Sequence, residues 1–175
     1  MAKGLIRSLS RGKEVNQKIV KRTISISESI DITGVDATVD AGSVKIGNLP
    51  SGNILLLGAV ANVAVSGGAD AHVIDNWGGD YGIGTVANAD VDLADATDDN
   101  IIPSTALTAG AADKDAPSTR GVSTATEQVI IDNTDGSGDL YVNLLIDDNV
   151  ITDTEAGTFA ITGTLDIAYI VLGTT

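Results

Sequence analysis

Period-two alternation dominates the chain from about residue 20 onward. Val20, Ile24, Ile26, Ile30 and Ile32 share one parity through KRTISISESIDI, while Ser, Thr and Asp take the other. That spacing predicts a half-buried strand, because successive strand side chains point to opposite faces. SVKIGNL (43–49) is a second candidate, followed by a Pro50-Ser51-Gly52 turn and the apolar run NILLLGAVANVAV (53–65). Pro presets φ for the turn and Gly relaxes its exit. Gly58 inside the apolar run predicts a bulge or bend. Strands resume at EQVIIDN (127–133) and DLYVNLLI (139–146), and the intervening TDGSG reads as a hairpin connection. In the last element, FAITGTLDIAYIVLG, Phe159, Ile161, Leu165, Ile167, Tyr169 and Val171 face one way, with Thr162, Thr164 and Asp166 opposite.

Between these elements, residues 66–126 are rich in Gly, Ala, Asp and Thr, a composition expected of long surface loops. The count comes to seven or eight strands and no helix in the body. Many short strands separated by turn signals predict an all-β fold, an antiparallel β-sandwich of jelly-roll type. Its core must be aliphatic: apolar residues make up 43% of the chain and aromatics 3%, with one Trp (Trp77) and one Phe (Phe159).

The first 22 residues break the pattern. MAKGLIRSLSRGKEVNQKIVKR holds Lys3, Arg7, Arg11, Lys13, Lys18, Lys21 and Arg22 against Glu14 alone, a balance of +6 that leaves residues 23–175 at −20 within a net −14. On a helical wheel Leu5, Ile6, Leu9, Val15, Ile19 and Val20 gather on one side and most basic residues on the other. Gly4 and Gly12 would each cost such a helix about 1 kcal/mol, so a helix here is expected only when docked. The expected organisation is thus a basic docking arm at 1–22 and a sandwich domain at 23–175 with long loops at about 66–126.

Charge and composition narrow the function. No apolar run approaches the roughly 20 residues that span a bilayer, and the start of the chain lacks the apolar stretch of a secretory signal. An acidic body repels nucleic acid and anionic lipid, so neither is an expected partner. The arm admits four readings: a presequence, a membrane-surface helix, a nucleic-acid arm, or a docking arm for an acidic protein surface. The last is preferred, and folding back on its own acidic body is its plain alternative. There is no Cys, one His (His72), no G-x-S-x-G and no phosphate loop. GIGTVA (82–87) matches G-x-G-x-x-A without a following helical period and reads as a strand edge. DNTDGSGD (132–139) has the oxygen density of a Ca²⁺ loop, but Asn143 stands where an EF-hand places Glu, so a loop is expected. No enzyme activity, metal or cofactor is expected.

VKIGNLPSGNILLLGAVANVAV, followed by GDYGIGTVANADVDL and NIIPSTAL, resembles the head decoration (cement) or minor virion structural proteins of tailed bacteriophages, over roughly residues 24–110 and the closing strand. The resemblance implies a β-sandwich on the outer surface of an icosahedral shell. It also implies a homo-oligomer, often a trimer, that binds the major capsid protein without catalysis. The expected capsid-binding residues are Lys3, Leu5, Ile6, Arg7, Leu9, Arg11, Lys13, Lys18, Lys21 and Arg22. The alternative expectation is a carbohydrate-binding or adhesin-like sandwich that uses Trp77 and Tyr81 on exposed loops.

Overall fold

The alternation through the first strand becomes β1 (Ile19–Thr33), whose Ile24, Ile26, Ile30 and Ile32 are buried while Thr23, Ser25 and Ser27 are exposed. A computed structural model describes residues 18–33, 40–68, 70, 72–88, 92–93, 97–110, 114–123, 129–147, 150–151 and 156–173. Among these, eight further strands follow: β2 (Asp40–Asn48), β3 (Gly52–Ser66), β4 (Gly78–Gly84), β5 (Ile102–Thr108), β6 (Asp115–Val122), β7 (Ile130–Asn133), β8 (Asp139–Ile146) and β9 (Ala156–Gly173).

The strands form two antiparallel sheets packed as a sandwich. The first has the order β1-β9-β3-β6, with β7 pairing a different part of β3; the second has the order β2-β8-β4-β5. In the pairings β1·β9, β2·β8, β3·β6 and β4·β5 the chain folds on itself as a nested series of hairpins, with β7 as an addition. That nesting is the jelly-roll wrap expected from the strand count.

Gly58 marks a register shift between Leu56 and Gly58 where β3 meets β9, so the buried parity moves from Ile54 and Leu56 to Ala59, Ala61, Val63 and Val65. The bulge keeps an apolar side chain inward on both sides of the bend. At Gly163, φ is 155° and an added Cβ would lie 2.0 Å from the Asn62 carbonyl oxygen, so only glycine lets β9 approach β3 there. The inter-sheet core is aliphatic apart from four rings, those of Trp77, Tyr81, Phe159 and Tyr169. Trp77 and Phe159 meet edge to face at 5.4 Å and 77°, and Tyr81 is wholly buried.

Three expectations are corrected. Residues 66–126 contain β4, β5 and β6, and they supply Trp77, Tyr81, Ile83, Ile101, Ile102, Leu107 and Ala116 to the core. Low hydrophobicity concealed these strands, because single apolar anchors separated by glycine carry no long alternation. The TDGSG connection is not a hairpin within one sheet: β7 pairs β3 in the first sheet and β8 lies in the second, so the loop crosses the sandwich. Buried Asn133 holds this crossing by donating to the Leu49 and Pro50 carbonyls and accepting from the Gly138 amide. Finally, a helix cannot extend over 19–22, since those four residues pair with 167–170 as part of β1.

Candidate docking surface

The sheets differ in what lies over their outer faces. On the second sheet, Asn143 of β8 faces away from the inter-sheet core yet is fully buried. It sits under the connection between β4 and β5, of which 85–88, 92–93 and 97–101 are described. Its amide donates to the carbonyls of Val86 (3.0 Å) and Asp98 (2.6 Å), and its oxygen accepts from Ser43 Oγ (2.7 Å) and the Asn88 amide (3.0 Å). All four capacities of the side chain are used. Leu93 is buried in the same cover, above Gly82. Asn143 drew attention in the sequence only as a missing Ca²⁺ ligand; a polar residue flanked by Val142 and Leu144 was the available signal.

Among the described residues, no comparable segment lies over the outer face of the first sheet. There Ile19, Ile170, Leu55 and Ile130 are successive cross-strand partners on β1, β9, β3 and β7. Their neighbours Val20, Tyr169, Ile54 and Ile131 pack inward, so these four point outward in one row. Ile19 is 53% exposed and Ile130 61%. Leu57 and Leu172 are also exposed. Beside the row runs a groove of about 560 Å³ whose lining includes Gly58, Val60, Val122 and Ala168, with Lys21, Arg22, Thr23, Ser123 and Asp166 as its polar members. Thr23 Oγ1 donates to Asp166 at 2.5 Å across β1 and β9.

Of the ten residues expected to bind a partner, Lys3, Leu5, Ile6, Arg7, Leu9, Arg11 and Lys13 lie outside the described residues. Lys18 directly precedes β1 and is exposed. Lys21 is exposed on the outer face and lines the groove. Arg22 has the opposite parity, and its guanidinium donates to the Asn48 carbonyl at 2.7 Å, tying β1 to β2. The basic segment therefore runs into the edge strand itself, with Lys21 presented outward and Arg22 used between the sheets.

The other candidate chemistry resolves into structure. Trp77 and Tyr81 are buried, with Trp77 Nε1 donating to the Lys114 carbonyl (2.9 Å) and Tyr81 Oη to the Thr119 carbonyl (3.1 Å), so neither offers a face on which a sugar could stack. Burial pushes the Tyr81 phenol above its ordinary pKa. In DNTDGSGD, Asp132 accepts from the Thr134 amide and hydroxyl, Asp135 from those of Ser137, and Asp139 pairs with Lys45 at 2.7 Å. The Ser137 amide and hydroxyl hold the Asp135 carboxyl below its usual range. Among the described residues no three His, Cys, Asp or Glu side chains are grouped to hold a metal ion.

His72 is half-buried, and its amide donates to Asp70, as does the Thr158 amide, each at 2.9 Å. These bonds, the His72 amide first, hold the Asp70 carboxyl below its ordinary value. Asp70 thereby fastens the loop after β3 to the start of β9. GIGT forms the end of β4 and the turn after it, as its lack of a helical period implied.

No protein-family model matches the chain, and no curated protein matches it. Among solved structures, it is similar to one described as the structure of infectious bursal disease virus Gx strain, with TM-score 0.39 and 8% identity over 88% of this chain. It is also similar to the enzymatically active domain of bacteriophage CBA120 tailspike protein 4, with TM-score 0.28 and 8% identity over 87% of this chain. The chain spans 32% and 19% of those two chains.

Proposed function

We propose that this chain is a virion structural protein, a decoration or cement protein on the outer surface of a tailed-phage head. In this reading it is a homo-oligomer, with a trimer favoured, that binds the major capsid protein through its basic N-terminal arm and has no catalytic role. The observation that carries the reading is the division of charge along the chain. A strongly basic end continues in sequence through Lys18, Lys21 and Arg22 into the edge strand of a jelly roll whose remainder is acidic.

Such a chain has one end suited to an acidic protein surface and a body that keeps decorated particles apart by mutual repulsion. The resemblance of VKIGNLPSGNILLLGAVANVAV and NIIPSTAL to phage decoration proteins supports the same reading. The jelly roll is compatible with it, since that wrap recurs in capsid domains, though also in lectins and cupins. Burial of Trp77 and Tyr81 removes the aromatic platform on which the lectin alternative relied.

Because β1 starts at Ile19, the informative deletion ends at residue 17 and leaves the strand whole. The variant lacking residues 1–17 is expected to fold, by circular dichroism, and to fail to co-sediment with undecorated heads. The full chain is expected in a fixed ratio to the shell protein. Undiminished co-sedimentation of the truncated chain, or full-chain binding to DNA or anionic vesicles equal to that on heads, overturns the reading.

A further inference from the structure

We propose that the outer edge of β1 pairs antiparallel with β1 of a second copy of this chain, across a two-fold axis near Ile26, so that the first sheets of two molecules run on as one. Among the described residues β9 is the one strand that pairs with β1, and no backbone hydrogen bond from elsewhere reaches its other edge. A strand edge is a template for a further strand, and proteins ordinarily blunt it with proline, a bulge or short length. The other edges here are blunted. β6 contains Pro117 and a register shift against β3. β5 contains Pro103, β2 is broken by a shift between Lys45 and Gly47, and β7 has four residues. β1 pairs with β9 over 15 residues with no proline and no shift.

What β1 carries instead is charge, and the order of its charges selects the partner. Lys21 and Arg22 lie in its first half, Glu28 and Asp31 in its second, and all four are exposed. Lys21 and Asp31 stand about 33 Å apart along the strand and cannot meet within one chain. Among the described residues neither Lys21 nor Glu28 has an ion-pair partner. A second β1 running antiparallel about Ile26 sets Lys21 opposite Asp31, Thr23 opposite Ser29 and Ser25 opposite Ser27, each twice by symmetry. Arg22 then lies diagonal to Glu28, within reach of a long side chain. Its bond to the Asn48 carbonyl leaves guanidinium donors for that carboxylate. A parallel, in-register copy would instead set like charges opposite one another, so charge fixes the direction of pairing as well as the partner. Residues 21–31 of the two copies supply about ten backbone hydrogen bonds. The contact does not rest on attachment to a shell, and a two-fold contact through β1 leaves the rest of the sandwich open to a three-fold one.

Sedimentation equilibrium of the full chain tests this at physiological salt, where repulsion between the acidic bodies is screened beyond about 8 Å. The mass should double as concentration rises toward millimolar. Lys21→Glu and Asp31→Lys, made singly, each set like charges opposite one another twice and should weaken association about ten-fold. Lys21→Glu/Asp31→Lys in one chain recreates the opposite pairing and should restore it, which a role of either residue within its own chain would not do. Circular dichroism checks that the exposed substitutions leave the fold intact. Amide exchange at alternate residues of 22–30 should slow as the chains associate. A mass that never doubles, doubling indifferent to the single reversals, or no recovery in the double variant would each overturn the proposal. Co-sedimentation with heads is measured separately, so failure here leaves the proposed function standing and the reverse also holds.

Discussion

Replacing Asn143 with Leu keeps the side-chain volume nearly constant and removes every bond of the clamp over the second sheet. Four hydrogen bonds are lost: two to the carbonyls of Val86 and Asp98 and two from Ser43 and Asn88. A typical net contribution of about 1 kcal/mol each gives about 4 kcal/mol, and groups left orphaned under a cover that stayed in place would raise the cost above that. The cover connects two strands and can lift, letting water reach Asn88 and Val86, so about 2 to 4 kcal/mol is expected. Urea unfolding followed by Trp77 fluorescence measures the total, and hydrogen exchange at the Asn88 amide reads the clamp itself.

That amide should exchange much faster in the variant, while amides in β9 keep their protection relative to the new global stability. Asn143→Asp is the sharper companion. It retains the acceptor for Ser43 and Asn88 but sets a buried carboxylate against two carbonyl oxygens, so it should be worse than Leu at neutral pH and recover as the solution is acidified. A cost below about 1 kcal/mol for Asn143→Leu, with Asn88 exchange unchanged, would refute the reasoning.

Other outcomes follow from the same contacts. Gly84→Ala places a Cβ 2.3 Å from the Asp98 carbonyl and the Thr97 oxygen; it should displace the same cover, cost about 1 to 3 kcal/mol in urea, and speed Asn88 exchange. Asp70 has its folded pKa held below its ordinary value of 3.8, so its stabilisation is present above that value and fades as pH falls through the lower folded one. Asp70→Asn should lower the melting temperature at pH 7 and converge with wild type near pH 2. The Tyr81 phenol is shifted the other way, so its contribution is present below pH 10.0 and fades as pH rises above it. Tyr81→Phe should cost about 1 kcal/mol at pH 7, a difference that narrows above pH 10 in an alkaline stability series.

The sequence was most legible where alternation is long. β1, β3 and β9 carry 15, 15 and 18 residues, and their buried parity was readable down to the bulge at Gly58. β4 and β5 were hidden, because GGDYGIG and IPSTALT bury only some positions and spend the rest on glycine and hydroxyl residues. Tyr81 looked like a surface aromatic for the same reason: its neighbours are Asp80 and Gly82, and only the fold reveals that Gly121 leaves the space its hydroxyl enters. The crossing after β7 was misread because a Gly-rich turn looks the same whether its strands share a sheet or not. Non-local choice of partner is not written in local composition.

The outer faces of the two sheets carry the functional argument further than the core does. Asn143 shows how this chain covers a sheet: a polar side chain in an apolar strand fixes an overlying segment through its backbone, making the cover specific and permanent. The face built from Ile19, Ile170, Leu55 and Ile130 has the opposite character, with apolar area and no buried polar anchor in the row. Apolar contact is non-directional, so such a face releases one occupant for another at little cost in geometry. Full burial of an Ile or Leu is worth about 1.5 to 3 kcal/mol, and these are already partly buried, so each adds less.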